Sequence, residues 1–316
     1  MTSLPWADAT WWHAILDRTA RTSPEQLTED GSPLTLHLLL IACGLALAVV
    51  IIPPLWRAVR IVVTLVHELG HAAVGIAVGR RFTGFVVRGD MSGHAVTVGK
   101  PRGPGLAFTT WAGYPAPAVV GAGMVAAAVS GWAPAVFGAI ALVFVLTLPF
   151  VRSWATFAST LAVAGTTAAL WWWRSDGRSA AVLLTVAVVL ILGAWRHLGA
   201  VAGSPRGSDP DVLAKQTKIR GWFWVGTFGL VVAAASAGAG YLLWGVVRWS
   251  LALDYGALRK VISRSTCIHT VQTHATIPTA SPAISTPVQV RAAHRGRGMR
   301  PTSAIASGKA SNRKRS

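Results

Sequence analysis

Apolar residues fall into seven long runs, at about 34–52, 59–78, 108–129, 133–151, 154–173, 180–198 and 222–247. Each approaches the roughly 20 helical residues that cross the hydrocarbon core of a bilayer. The pattern therefore predicts an all-α polytopic membrane protein with about seven transmembrane helices. Pro53 and Pro54 end the first run, since proline lacks the backbone donor a continuing helix needs. One stretch has a different period: residues 82–98 alternate apolar with small or polar side chains around Gly89, Asp90 and Gly93, which reads as a short β-hairpin. The chain thus divides into a polar N-terminal segment, 1–33, a membrane region, 34–250, that carries the hairpin, and a tail, 251–316. Residues 1–33 do not resemble a cleaved leader, so the first run is expected to remain as an anchor.

Details at the ends of the runs fit this division. Trp171, Trp172 and Trp173, and Trp222 and Trp224, suit an aromatic belt at the headgroup level. Gly75 and Gly79, and Gly121 and Gly123, offer small-residue faces for close helix packing. Arg80, Arg81, Arg88, Lys100 and Arg102 place the hairpin in the cytoplasm by the positive-inside rule. Alternation then puts Arg152 and the segment with Arg206, Lys215, Lys218 and Arg220 on the same side, but sends the basic tail to the other.

Composition agrees with a membrane class, at 53% hydrophobic and 13% charged residues. The net charge of +18 suggests a nucleic-acid partner until its distribution is considered. From Arg259 to Ser316 there are Lys and Arg but no Asp or Glu, among Ser, Thr, Pro and Ala. Such a segment buries too little apolar surface to offset its ordering, so the tail is read as disordered and solvated, with contact to anionic lipid as the alternative and no specific nucleic acid expected. Cys43 and Cys267 are too few for a disulfide framework or a Cys-rich zinc site.

The residues that change the picture are His67, Glu68, Leu69, Gly70 and His71, an H-E-x-x-H pattern within the second run. One helical turn separates the histidines, so both imidazoles project from one face and can hold a single Zn²⁺. Zinc lowers the pKa of a bound water towards neutrality, and Glu68 is placed to take that water's proton. With nine His and three Glu in the chain, chance produces the pattern in roughly two or three chains per thousand. The other glutamates, Glu25 and Glu29, precede the first run. Ionisable groups at membrane depth cost several kcal/mol unless they pair or bind an ion, and so mark function. The bland alternative is a polar cluster that satisfies itself without a metal.

An H-E-L-G-H motif in a membrane helix, then a hairpin and a Gly-rich span, resembles the site-2 protease family of intramembrane zinc metallopeptidases. The pattern is similar to the compact bacterial branch without a PDZ domain, the B-like members of metallopeptidase family fifty. The resemblance covers roughly residues 55–245. Trp111-Ala112-Gly113-Tyr114-Pro115 looks like that branch's A-G-Y-x-x-P element, and Gly207-Ser208-Asp209 looks like its later S-D motif. It implies a zinc endopeptidase with one Zn²⁺, a membrane-protein substrate and a place in the bacterial plasma membrane. Better-known members take a third ligand from an N-P-D-G or L-D-G motif; here the only asparagine is Asn312, so no N-P-D-G exists.

Five acidic residues remain as candidates: Asp90, Asp176, Asp209, Asp211 and Asp254. Asp209 is preferred, on the S-D match and a loop on the hairpin's side, with Asp211 the alternative; Asp176, although followed by Gly177, falls on the opposite side. Gly93, His94, Gly113 and Tyr114 are candidate substrate contacts, His94 also an outside candidate ligand. Because a transmembrane helix hides its peptide carbonyls, an unwound substrate is expected to add as a strand to the hairpin's edge. Two rival readings stand beside the protease: a scaffold that has lost proteolysis, and a transporter that moves ions through His and Glu.

Overall fold

A computed structural model describes residues 10–23, 27, 32–87, 93–203 and 207–274, with side chains described as far as residue 252. Contacts group Met1–Ile262 into one compact unit and Ser263–Ser316 into another; of the second, the described part is helical to His274. The predicted disorder of 275–316 lies outside the described residues.

The predicted all-α architecture with one hairpin is what forms. A short helix α1 (Thr10–Thr19) precedes α2 (Leu36–Ile51) and α3 (Pro53–Ala77). Only Ile52 separates α2 from α3: Pro53 ends one helix and opens the next from its first turn, where proline's missing donor is harmless. After strands β1 (Arg81–Val87) and β2 (Gly93–Val98) come α4 (Pro104–Trp111), α5 (Ala116–Val129), α6 (Ala133–Thr147) with a 3₁₀ turn at Leu148–Phe150, and α7 (Trp154–Trp172). The chain continues through α8 (Asp176–Gly203), α9 (Asp209–Thr217) and α10 (Gly221–His274).

The seven predicted runs all become helix, but the expected seven spans become four, or five with a bent pair counted as one. The four are α3, α6 with its 3₁₀ turn, α8, and α10 over Gly221–Ala252; the bent pair is α4 with α5, turned by 62°. α2 has 16 residues, about 24 Å at the helical rise and short of a core about 30 Å thick. α7 has the length, but Thr156, Ser159, Thr160, Thr166 and Thr167 dilute its apolar character. The helix predicted to stop near Val247 instead continues to His274, so the tail does not begin as coil at residue 251.

α8 lies at the centre and packs on α2, α3, α5 and α6. Small residues set its closest approaches. A methyl group added at Gly121 would strike the Ala187 carbonyl and Ile191 of α8, and one at Gly193 would strike Val63 of α3. Of the four glycines predicted to serve packing, Gly75 and Gly121 do so; Gly123 has open space, and Gly79 (φ 79°) closes the turn after α3. The hairpin is antiparallel, with Phe85 opposite Ala95 and an irregularity between Phe82 and Gly84. Phe85 is fully buried in a cluster with Leu65, Phe144 and Ala164, which pins the hairpin to α3, α6 and α7. The outer edge of β1 is covered by residues 150–152, through a bridge from Phe85 to Val151 and a hydrogen bond of 2.6 Å from Arg152 to the Thr83 carbonyl. The outer edge of β2 faces α3.

Candidate metal centre

α3 presents His67, Glu68 and His71 on the face that meets β2 and α4. Their imidazole Nε2 atoms lie 3.1 Å apart, with the ring planes at 86°. His71 Nδ1 donates to the Thr109 carbonyl of α4 at 2.7 Å, which turns its Nε2 inward with a free lone pair, the second-sphere contact that orients a ligating histidine. Glu68 is 4% exposed. Its carboxylate accepts a hydrogen bond from the backbone N–H of Ala95 on β2.

Asp209 completes the group from the first residue of α9. Its Oδ2 lies 3.4 Å from His67 Nε2 and 3.2 Å from His71 Nε2, and makes no well-formed hydrogen bond. Three potential ligand atoms this close to one another point towards a common centre. Ligand atoms bonded to tetrahedral zinc at its usual 2.0–2.2 Å stand about 3.3 Å apart, so the three separations fit one ion. Among the described residues this is the one His/Cys/Asp/Glu group placed to hold a metal. Burial alone would push the Asp209 carboxyl up, but the two imidazoles outweigh it and hold the group well below the usual carboxylate range. It is therefore the anion a divalent cation needs.

A family model, Peptidase M50B-like, matches residues 40–239. The chain belongs to that family. No curated protein and no solved structure matches it. Membership, with several long apolar helices, makes this M50B-like chain an integral multi-pass membrane protein of the site-2 protease-like metallopeptidase class.

The rest of the M50B-like site explains how distant segments reach α3. Gly70 lies where the break between α4 and α5 comes closest: an added methyl would overlap Ala116 Cβ and sit 3.0 Å from the Ala112 carbonyl. That approach brings Gly113 over the imidazoles, where a Cβ would overlap His71 Nε2 and come within 2.7 Å of His67 Nε2. Tyr114 packs edge-on against the His67 ring at 4.8 Å and stacks on Phe228 of α10 at 5.2 Å. α9 is docked by Leu213, fully buried with Leu198, Val201 and Phe228.

The remaining predicted residues divide cleanly. Gly93 abuts the Glu68 carboxylate with no room for a side chain. His94 is exposed on β2 and borders the site without joining the ligands, so it is not a third ligand. Asp211, the alternative ligand, instead accepts from the Gly207 backbone at 2.9 Å and from Lys215 at 2.8 Å, which fastens the turn that presents Asp209. Asp176 pairs with Arg174 at 2.6 Å, away from the ligand group. Asp90 and the side chain of Asp254 lie outside the described residues.

Two cavities meet at the ligands and share His67, Glu68, Gly93, Gly207 and Asp209. One, of about 380 Å³, runs along β2 from Gly93 to Thr97 and reaches Arg80 and Gln216. The other, of about 230 Å³, is walled by Thr64, Tyr114, His197 and Ser208. Sequence reasoning missed His197, although an ionisable residue inside a predicted span is the signal that singled out Glu68. It could not have found Thr109, whose contribution is a backbone carbonyl.

Proposed function

We propose that the chain is an intramembrane zinc endopeptidase that hydrolyses a peptide bond of a membrane-associated protein, in a bacterial plasma membrane. The observation that carries this reading is the convergence of His67 Nε2, His71 Nε2 and Asp209 Oδ2 within 3.4 Å of one another beside the buried Glu68. Those three atoms would hold the metal, leaving its fourth position free, as catalytic zinc sites do. Zinc bound there supplies a water acidic enough to lose its proton near neutrality.

Glu68 takes that proton on a carboxylate held by the Ala95 N–H, then gives it to the amine as the C–N bond breaks. The cavity of about 380 Å³ along β2 is the natural place for an unwound substrate segment, since the opposite edge of the hairpin is already occupied. A segment held in that cavity lies beside Glu68. Asp209 also bears on the scaffold reading, whose support was a missing third-ligand motif: a carboxylate beside both imidazoles favours hydrolysis.

Glu68→Gln tests the proposal. The variant should keep zinc, measured by metal analysis of pure protein, and lose about 10²- to 10⁴-fold in cleavage of a membrane-protein substrate, the usual contribution of a general base. Undiminished cleavage would refute it.

A further inference from the structure

We propose that His197 is a catalytic residue of this site, donating a hydrogen bond to the substrate's carbonyl oxygen as that oxygen takes up negative charge. The inference rests on the hydrolytic reading above and assigns a role to a side chain that reading does not use.

His197 belongs to α8, remote in sequence from the motif, yet it forms one wall of the 230 Å³ cavity whose other walls include His67, Glu68 and Asp209. Its ring is held from behind. It meets Trp56 edge-to-face at 6.3 Å and 76°, and Trp56 is 7% exposed. The Arg196 guanidinium lies over the same indole at 4.6 Å and donates to the Val50 carbonyl at 2.5 Å, tying α8 to the end of α2. The imidazole itself makes no hydrogen bond or ion pair with any described residue. An ionisable side chain inside a membrane helix is costly there unless it pairs or meets a ligand. An imidazole in the wall of a polar cavity, with no such partner among the described residues, is available to whatever enters.

The chemistry of the cavity says what that is. Peptide hydrolysis moves charge: as the water oxygen bonds to the carbonyl carbon, the C=O electron pair shifts onto the carbonyl oxygen. That charge is best met by fixed donors aimed at it in a site sheltered from water. Glu68 and Asp209 are acceptors and cannot serve. His197 can donate through a ring N–H from the wall of the same cavity. When the intermediate collapses, the C–N bond breaks, the nitrogen takes the proton carried by Glu68, and the His197 proton stays where it was. Tyr114 is the other ring in that wall, but it is clamped between His67 and Phe228.

The test uses the full chain in detergent, loaded with Co²⁺ so that ligand binding is read from visible absorption without any turnover. Acetohydroxamate, which brings an oxyanion to the metal, should bind His197→Ala about 10-fold more weakly than wild type, the loss of roughly one charge-assisted hydrogen bond. His197→Gln, which keeps an N–H donor, should recover most of the affinity, and both variants should hold one metal ion per chain. In peptide cleavage, His197→Ala should lower kcat about 10²-fold with KM little changed, the signature of a contact made only at the transition state. Equal acetohydroxamate affinity in wild type and His197→Ala overturns the proposal. So does loss of the metal from that variant, or a defect found in Tyr114→Phe and absent from His197→Ala. Should Glu68→Gln cleave as wild type does, the hydrolytic reading fails instead, and the acetohydroxamate titration still decides His197.

Discussion

Two faces of α3 open on cavities, and the larger one holds none of the candidate ligands. On one side Val62, Val66, Leu69, Ala73 and Val74 look into a space of about 610 Å³ completed by residues of α4, α5, α6 and α8, every one of them apolar. On the other, Thr64, His67, Glu68 and His71 look into the smaller spaces of about 230 and 380 Å³. The same helix walls both. An apolar hollow inside a membrane needs neither water nor an ion, since a water requires two to four polar partners. A hollow that gathers two imidazoles and two carboxylates is costly at membrane depth unless they pair or bind an ion. Concavity alone therefore says little here, and the donor set says nearly everything.

Five substitutions set one face against the other. His71→Ala removes a ligand and should abolish stoichiometric zinc and all cleavage, read by metal analysis and a substrate assay. Asp209→Ala should weaken zinc by more than the roughly 10- to 100-fold that follows loss of a supporting contact. Asp211→Ala, in the same turn, should keep the metal, so zinc retained by the first and lost by the second would reverse the assignment. Gly113→Ala pushes a methyl against both imidazoles; cleavage should fall about 10²-fold, the effect of displacing reacting groups by around 1 Å. The smallest effect belongs to the apolar face. Val136→Phe adds volume to the large cavity and should raise thermal stability by about 0.5–2 kcal/mol, as cavity filling commonly does, with cleavage within about 2-fold of wild type. A large loss of cleavage there would mean that the two faces are not independent.

How much of this could be read beforehand differs element by element. Each long apolar run became helix, and the 82–98 alternation became the hairpin, because both periods are local properties of the chain. The number of spans was overcounted, since apolar character in a window does not reveal that α2 stops short or that α4 and α5 bend by 62°. The three basic segments expected on one side do converge: Arg152 bonds to the hairpin, and α9 brings Asp209 to the residues beside it.

Within the site, His67, Glu68 and His71 were legible because a turn of helix fixes their common face whatever surrounds it. Asp209 could be preferred among five carboxylates but not selected, because its approach depends on Leu213 docking and on Asp211 holding the turn. Gly70, Gly113, the Thr109 carbonyl and His197 gained their meaning only from neighbours distant in the chain. The sequence by itself determined a membrane helix with two imidazoles on one face and a carboxylate beside them, since the i, i+4 spacing of His67 and His71 and the i, i+3 spacing of Glu68 and His71 are enough for that. Only the tertiary structure decided which carboxylate joins them, which cavity they face and which free imidazole stands opposite, because those are distances between segments that no local pattern encodes.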